Sequence, residues 1–446
     1  MAAPARAAAL RVLRTIASGS GDLGDALART RDGLSDARDR ALATELATGT
    51  LRWRNAIDYQ LQQRSARPLH KLDAAVLDAL RLGAYQLLYL DRVPISAIVN
   101  DSVELVKRAG FASAAGFANA VLRRLARERD TLSWPPPDDL TAHLAVVHSH
   151  PAWLVERWLT RYGPAVTETW LRFNNQPPAM TVAANRLRGT REQVMARLRE
   201  EGLEVTETTV APHGITIGNG RVLASRAFLD GFCVIQDEAS QVIPELAEAR
   251  PGARVLDLCA SPGGKTISLA AQCGTDGTVV ATDIRTRRVA LLAQTIARCA
   301  ALNARVVHIP ARGRLPFADA RFDCILIDAP CSGLGTIRRD PDIRWRRGPS
   351  ELAALAATQR DLLLRARSLL KPGGRIVYST CSSEPEENED VVTAFLAEAP
   401  AFRLVPLAAT SLPPAIRRME TDAGCLRTSA VFGLESFFGA ILLHDR

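Results

Sequence analysis

Two of the eight cysteines, Cys331 and Cys381, sit where a reactive thiol would be useful. Each directly follows an apolar run of strand length, in Asp328-Ala-Pro-Cys-Ser-Gly333 and Tyr378-Ser-Thr-Cys-Ser382. In a buried parallel sheet, ligands bind just outside the carboxyl ends of the strands, so both thiols fall on the working edge. A thiol attacks only as thiolate, a minor species at neutral pH. A nucleophilic cysteine there therefore needs a cationic neighbour or a helix N-terminus to favour ionisation. Cys324 is the contrast, because it lies inside its run (FDCILIDAP) and reads as an inert core thiol. The remaining cysteines are scattered and no C-x-x-C pair occurs, which excludes a zinc ribbon and a thioredoxin-type pair. No metal site is expected, and neither is a disulfide framework in a chain of 446 residues without a secretory signal.

A second cluster lies earlier in the same half, in Asp257-Leu-Cys259-Ala260-Ser261-Pro262-Gly263-Gly264-Lys265-Thr266. Gly263 and Gly264 let the backbone turn sharply and approach a ligand where a Cβ would clash. A phosphate-binding Walker loop would need glycine at position 259, which is Cys, and no G-x-G-x-x-G is present for a dinucleotide. The next apolar run ends in Asp283, twenty residues after Gly263, where an acid accepts hydrogen bonds from ribose hydroxyls. A glycine loop without pyrophosphate features, a cationic Lys265 and a ribose-side acid together point to S-adenosylmethionine.

These residues require an alternating scaffold, and the second half supplies it. RVLDLCA, TVVATDI, ARVVHI, FDCILIDAP and GRIVYSTC are near-continuous apolar strands separated by helical stretches such as TISLAAQC and ENEDVVTAFLAEA, the pattern of a parallel sheet buried on both faces. Residues 5 to about 130 instead show apolar positions at three- and four-residue spacing throughout, with Asp36 and Asp73 as N-caps. The N-terminal Arg- and Ala-rich segment fits a first amphipathic helix better than a transit peptide. Residues 1–130 hold 20 Lys/Arg against 14 Asp/Glu, most of the chain's net +8, and only four basic residues in the whole chain are Lys. Such a basic helical domain suits RNA binding; a packing or dimerisation role is the alternative. Ser133-Trp-Pro-Pro-Pro-Asp-Asp reads as a linker. Residues 179–233 mix β-like runs (MTVAAN, ITIGN) with the helical REQVMARLREEG, a small α+β insert. No apolar run approaches the ~18 residues of a membrane span. A cytoplasmic protein is expected.

The blocks DLCASPGGKT, IDAPCSGLGTIRRDPDIRW and STCSSEPEENED resemble the signatures of bacterial RNA cytosine-5 methyltransferases of the RsmB (Sun/Fmu) type, which act on 16S ribosomal RNA. The helical region is similar to the NusB-like domain of that family through Leu51-Arg52-Trp53, the segment Leu82 to Leu88, and Phe117 to Arg123. His150-Pro151-Ala-Trp153-Leu154 and Gln236-Asp237-Glu-Ala-Ser240 resemble further family segments. The resemblance implies an all-α NusB-like RNA-binding domain over 1–132, a small helical or α+β connecting domain over 140–235, and a Rossmann-like SAM-dependent methyltransferase domain over 236–446. The last would carry a mostly parallel seven-stranded sheet with a C-terminal hairpin.

It also implies the site: Cys381 as the thiolate that adds to cytosine, Cys331 assisting release, and Asp328 holding the cytosine edge. Cys259, Ala260, Ser261, Pro262, Gly263, Gly264, Lys265, Asp283 and Asp328 would bind S-adenosylmethionine. Sequence physics alone does not order the two cysteines. Arg338, Arg339, Arg344 and Trp345 are candidates for phosphate contact or base stacking. Glu386, Glu387 and Asn388 are expected to cap the next helix and fix the Thr-Cys loop. The implied partner is RNA, 16S ribosomal RNA first, with no DNA, no membrane and a monomeric enzyme. A transfer-RNA methyltransferase and a non-catalytic, antitermination-like RNA-binding factor are the alternatives.

The chain departs from the family pattern at three places. Pro310-Ala311-Arg312 replaces a Gly-Asp-Gly block whose acid lies near the adenine; Ala183 replaces an Arg two residues before Asn185; Glu435-Ser436-Phe437-Phe438 replaces Asp-Gly-Phe-Phe.

Overall fold

The computed structural model describes residues 3–31 and 33–445, and the chain divides into two compact units. The first comprises residues up to Gln176 together with Ile337–Arg347; the second comprises Pro177–Thr336 and Gly348 onward. The helical unit therefore reaches past the linker at 133–139, and it contains a segment that lies, in sequence, inside the methyltransferase-like half.

The first unit is helical: α1 (Pro4–Ala17), α2 (Leu23–Arg31), α3 (Ala37–Arg52), α4 (Arg54–Arg64), α5 (Ala74–Tyr89), α6 (Ile95–Arg108), α7 (Ala115–Glu128), α8 (Leu140–Val147) and α9 (Ala152–Asn175). Asp36 and Asp73 cap α3 and α5, accepting from the amides of Arg38 and Ala75. The amphipathic faces of α1 to α7 close on one core that includes Leu10, Leu13, Leu46, Ile57, Leu82 and Leu122. α1 joins that core through Leu10, Val12, Leu13 and Ile16, as its spacing predicts. Gly49 is obligatory, since a Cβ there would stand 2.0 Å from Cζ of Tyr85.

The second unit begins with an antiparallel sheet of β1 (Met180–Ala184), β2 (Glu204–Glu207), β3 (Gly214–Asn219) and β4 (Cys233–Ile235), in the order β2-β3-β1-β4. α10 (Arg191–Glu200) and α11 (Arg226–Leu229) accompany it, and α12 (Glu238–Val242) leads onward. The main sheet then forms from β5 (Arg254–Asp257), β6 (Thr278–Asp283), β7 (Ala304–His308), β8 (Phe322–Asp328), β9 (Leu370–Thr380), β10 (Phe402–Val405), β11 (Leu426–Arg427) and β12 (Phe438–His444). Seven strands run in the order β10-β12-β9-β8-β5-β6-β7, and the two-residue β11 pairs beside β12 as an eighth. β5 to β9 are mutually parallel, whereas β12 is antiparallel to β9 and to β10. The expected mostly parallel sheet with an antiparallel C-terminal end is what forms.

Alternate residues of β8 feed two cores. Cys324 and Leu326 pack on one face, Ile325 and Ile327 on the other, which is why the strand shows no polar alternation. The helices covering the sheet are α13 (Gly264–Cys273), α14 (Thr286–Arg298), α16 (Pro349–Ala366) and α17 (Glu389–Glu398), with α18 (Pro414–Arg417) near the C-terminus; α15 (Ile343–Arg346) belongs to the helical unit. Among the described residues no helix is long and apolar enough to cross a membrane.

Candidate active site

Four parallel strands end in polar groups at one edge: β5 in Asp257, β6 in Asp283, β8 in Asp328 and β9 in Thr380. β8 and β9 are neighbours in register, Asp328 opposite Ser379, so the loops that follow them emerge side by side. Cys331 and Cys381 ride on those loops, and their Sγ atoms stand 3.3 Å apart, a thiol hydrogen-bond distance. Both are partly exposed, unlike Cys324, whose thiol burial pushes up to about 12. Cys331 is held well above an ordinary thiol, first by its hydrogen bond with Cys381, then by burial and by the charge of Glu387.

The loops are fixed by close backbone contacts. The amide of Gly335 donates to the carbonyl of Cys381 at 2.9 Å, and the amide of Ser436 donates to the carbonyl of Gly335 at 3.0 Å. A Cβ at Gly335 would meet the Ser436 carbonyl at 1.9 Å, so only glycine lets the strands of chain approach this closely. The departure at Glu435-Ser436 therefore lies against the two cysteine loops, and Ser436 meets them through its backbone.

Lys265, on the first turn of α13, places Nζ 2.7 Å from Oδ2 of Asp328 and 2.9 Å from Oγ of Ser240. Its ammonium also lies over the Phe437 ring. Burial opposes the charge of Lys265, but the Asp328 carboxylate outweighs it and raises the ammonium above its ordinary value. The other oxygen of Asp328 accepts from Ser379 Oγ at 2.9 Å. Asp328 is thus oriented from two sides beside the cysteine pair.

On the neighbouring strands, Asp257 is 1% exposed and accepts from Thr266 Oγ1 at 2.7 Å through one oxygen, while Oδ1 is buried without a partner. The loop from Cys259 to Gly264 is pinned by the amide of Ala260 to the Thr282 carbonyl. It turns into α13 through Gly263 at φ 112°, which caps the helix without any side-chain acceptor. Burial pushes the Cys259 thiol up, so it stays neutral. Asp283 Oδ1 accepts from the amide of Arg285, leaving Oδ2 for a ligand.

Residues 245–424 match the family described as 16S rRNA methyltransferase RsmB/F, residues 3–127 the NusB family, and residues 150–222 the ferredoxin-like domain of RsmF/B-like methyltransferases. The chain is 34% identical over 409 residues to a probable ribosomal RNA small subunit methyltransferase B of Bacillus subtilis, covering 91% of this chain and 90% of that one. It is 36% identical to the ribosomal RNA small subunit methyltransferase B of Pseudomonas putida, covering 90% and 91%. The chain belongs to the ribosomal RNA small subunit methyltransferase B family. It is a SAM-dependent rRNA methyltransferase. A crystal structure of a methyltransferase homologue from Pyrococcus horikoshii resembles it at TM-score 0.58 and 26% identity, over 69% of this chain and 99% of that one.

Within this methyltransferase the second unit brings together Cys331, Cys381, Asp328 and Lys265. Two of the residues expected at the RNA surface are elsewhere. Arg344 is fully buried in the helical unit, donating to the carbonyls of Ser149 (2.8 Å), Arg52 and Asn174 and to Asn175 Oδ1 (3.0 Å). Trp345 donates its indole N–H to the Leu51 carbonyl at 2.6 Å. At Arg344 and Trp345 the basic, aromatic look is a packing feature. Arg338 lies over the Phe173 ring of the same unit. Asn185, beside the departure at Ala183, is likewise structural, its amide donating to the carbonyls of Gly231 and Cys299 at 2.8 Å each. At the departure around Ala311, Arg365 of α16 holds the carbonyls of Pro310 and Ala311 at 3.1 and 3.0 Å.

Asn388 stands at the N-cap position of α17, but its side chain makes no capping hydrogen bond. It fixes the Thr-Cys turn instead, accepting from Thr380 Oγ1 and donating to the Ser382 carbonyl. Ser240 and Ser379 are not singled out by the sequence, because a lone serine carries no signal until its neighbours are known. For Ser240, the resemblance over Gln236–Ser240 was the one available hint.

Burial pushes the Asp257 carboxyl up to about 7, against an unfolded value near ~3.9. A raised carboxyl contributes stability that is complete below about pH 4 and is lost as pH rises through about 7. Thermal unfolding of the enzyme alone should therefore show stability falling between those values, and Asp257→Asn should remove that slope. An unchanged slope in the variant would mean that another group causes it.

Proposed function

We propose that this enzyme methylates carbon 5 of a cytosine in 16S ribosomal RNA through a covalent adduct between Cys381 and carbon 6 of the base. The supporting observation is the pair of sulfurs 3.3 Å apart beside the Lys265–Asp328 ion pair. Carbon 5 of cytosine is a weak nucleophile. Addition of the Cys381 thiolate to carbon 6 forms a sulfur–carbon bond and moves the ring electrons toward carbon 5. Asp328, oriented by Lys265 and Ser379, holds the ring edge and steadies the charge that builds at N3. After carbon 5 is alkylated its proton leaves to a base, the ring electrons return, and the bond to Cys381 breaks. The S–H of Cys331 is within reach to protonate the departing sulfur, which fits its role in release. The target base must leave its stack to enter such a site.

S-adenosylmethionine supplies an electrophilic sulfonium methyl when bound. The residues fit it: a buried carboxyl oxygen of Asp257 lacks a partner, Gly263 and Gly264 leave an uncapped helix start, and Asp283 offers a ribose-side oxygen. We assign Cys259, Ala260, Ser261, Pro262, Gly263, Gly264, Lys265, Asp283 and Asp328 to holding it. The loop at Ala311 supplies no acid, so adenine is held without a carboxylate from that loop.

Bisulfite sequencing of ribosomal and transfer RNA from a deletion strain tests the substrate. One 16S cytosine should lose its methyl group and regain it on complementation. Loss confined to transfer RNA would move the substrate, and loss in neither pool would refute the reading.

A further inference from the structure

We propose that Glu387 is a positioning residue that sets the separation of the Cys331 and Cys381 sulfurs by accepting hydrogen bonds from the serine that follows each cysteine. The inference rests on the reading of those two cysteines as the reacting pair.

Glu387 is fully buried, yet it does not serve the helix that follows it. All of its side-chain partners lie in the two cysteine loops and on α16. Oε2 accepts from Ser332 Oγ and from Ser382 Oγ, each at 2.5 Å. Oε1 accepts from the Ser332 amide at 2.8 Å and from Gln359 Nε2 at 3.0 Å. The two serine hydroxyls are themselves 3.1 Å apart. A buried group that accepts four hydrogen bonds and donates none matches a carboxylate and no other side chain of its size. Leaving such a group unpaired is costly, so its donors are held in place as firmly as it is.

Ser332 and Ser382 are each one residue beyond a cysteine, so a single carboxyl fixes both sulfurs through one peptide unit apiece. Asn388, by contrast, binds only the Thr-Cys turn. The electrostatic consequence agrees in sense, since the Glu387 charge helps keep the Cys331 thiol protonated. This gives one buried acid two effects, one on the distance between the sulfurs and one on the Cys331 thiol.

Two readouts test the proposal in the full-length enzyme. The first is methyl transfer, where a misplacement of about 1 Å costs roughly 10²-fold. Glu387→Ala should lose about that much in kcat with little change in KM for RNA, and Glu387→Gln and Ser382→Ala should lose less. The second reads the sulfur separation without any turnover. Diamide oxidises two neighbouring thiols to a disulfide and takes up both hydrogens as a hydrazine, and mass mapping identifies the 331–381 pair. Wild type should cross-link fast, and the three variants at least about ten-fold more slowly at equal melting temperature.

Should Glu387→Ala fail to fold, Glu387→Gln and Ser382→Ala carry the test. Wild-type kcat together with wild-type cross-linking in both would overturn the proposal. So would lost activity with unchanged cross-linking, because Glu387 would then act by something other than spacing. Cys381→Ala run in parallel separates the two readings: retained methyl transfer there refutes the catalytic assignment and leaves the cross-linking result standing.

Discussion

Cys381→Ala is expected to abolish methyl transfer and to leave no covalent enzyme–RNA adduct, whereas Cys331→Ala is expected to stop turnover and accumulate the adduct. The asymmetry follows from the roles proposed for the two thiols. Cys331 shares a hydrogen bond with Cys381, and that bond, burial and the charge of Glu387 raise its thiol above the ordinary value, which suits the donor of a proton to a departing sulfur. Removing the attacker removes the only route by which carbon 5 becomes nucleophilic, and kcat should fall on the order of 10⁴-fold or more. Removing the partner leaves addition possible and blocks release. Both cysteines are partly exposed, so truncation to alanine opens little cavity and neither variant should melt far from wild type. Transfer of a labelled methyl group and an SDS-stable shift of the protein band with RNA separate the two outcomes. The reverse pattern would exchange the roles of the two residues.

What the sequence reveals about this site divides along physical lines. Strand ends are legible because an apolar run must stop where solvent and ligand begin, and that places Asp257, Asp283, Asp328, Cys331 and Cys381 on one edge. The order of the two cysteines is not legible in this way, since both follow a strand and both precede a serine. It came from resemblance, and the geometry adds the shared hydrogen bond. Groups that act through the interior are the least legible. Ser332, Gln359, Ser382 and Glu387 are up to 55 residues apart in the chain and become one network only when β8, β9 and α16 pack together. Lys265 shows a milder case. Its position in the glycine loop suggested a cation for the cofactor, and the fold gives it Asp328 and Ser240 as well, so it also orients the acid beside the cysteines.

The segment after the Pro-Cys loop misleads in the opposite direction, and a second large effect should follow from it. Arg344→Ala is expected to destabilise the helical unit by about 3–5 kcal/mol, through a cavity and through carbonyls left without donors. Its guanidinium is fully buried, and its partners are three backbone carbonyls and Asn175 Oδ1. Burial pushes the guanidinium well below its ordinary value, so these hydrogen bonds offset a real desolvation cost. For a unit of this size the loss should appear as a fall of roughly 10 °C in the melting transition. Arg344→Lys should recover only part of it, because an ammonium cannot reproduce the planar fork that reaches several carbonyls at once. Arg344→Met is the informative control: a melting point at or above wild type would show that desolvation outweighs the hydrogen bonds. If Arg344 instead contacted phosphate, Arg344→Ala would weaken RNA binding and flatten its salt dependence at an unchanged melting temperature. The interior position and the four acceptors around it favour the structural outcome.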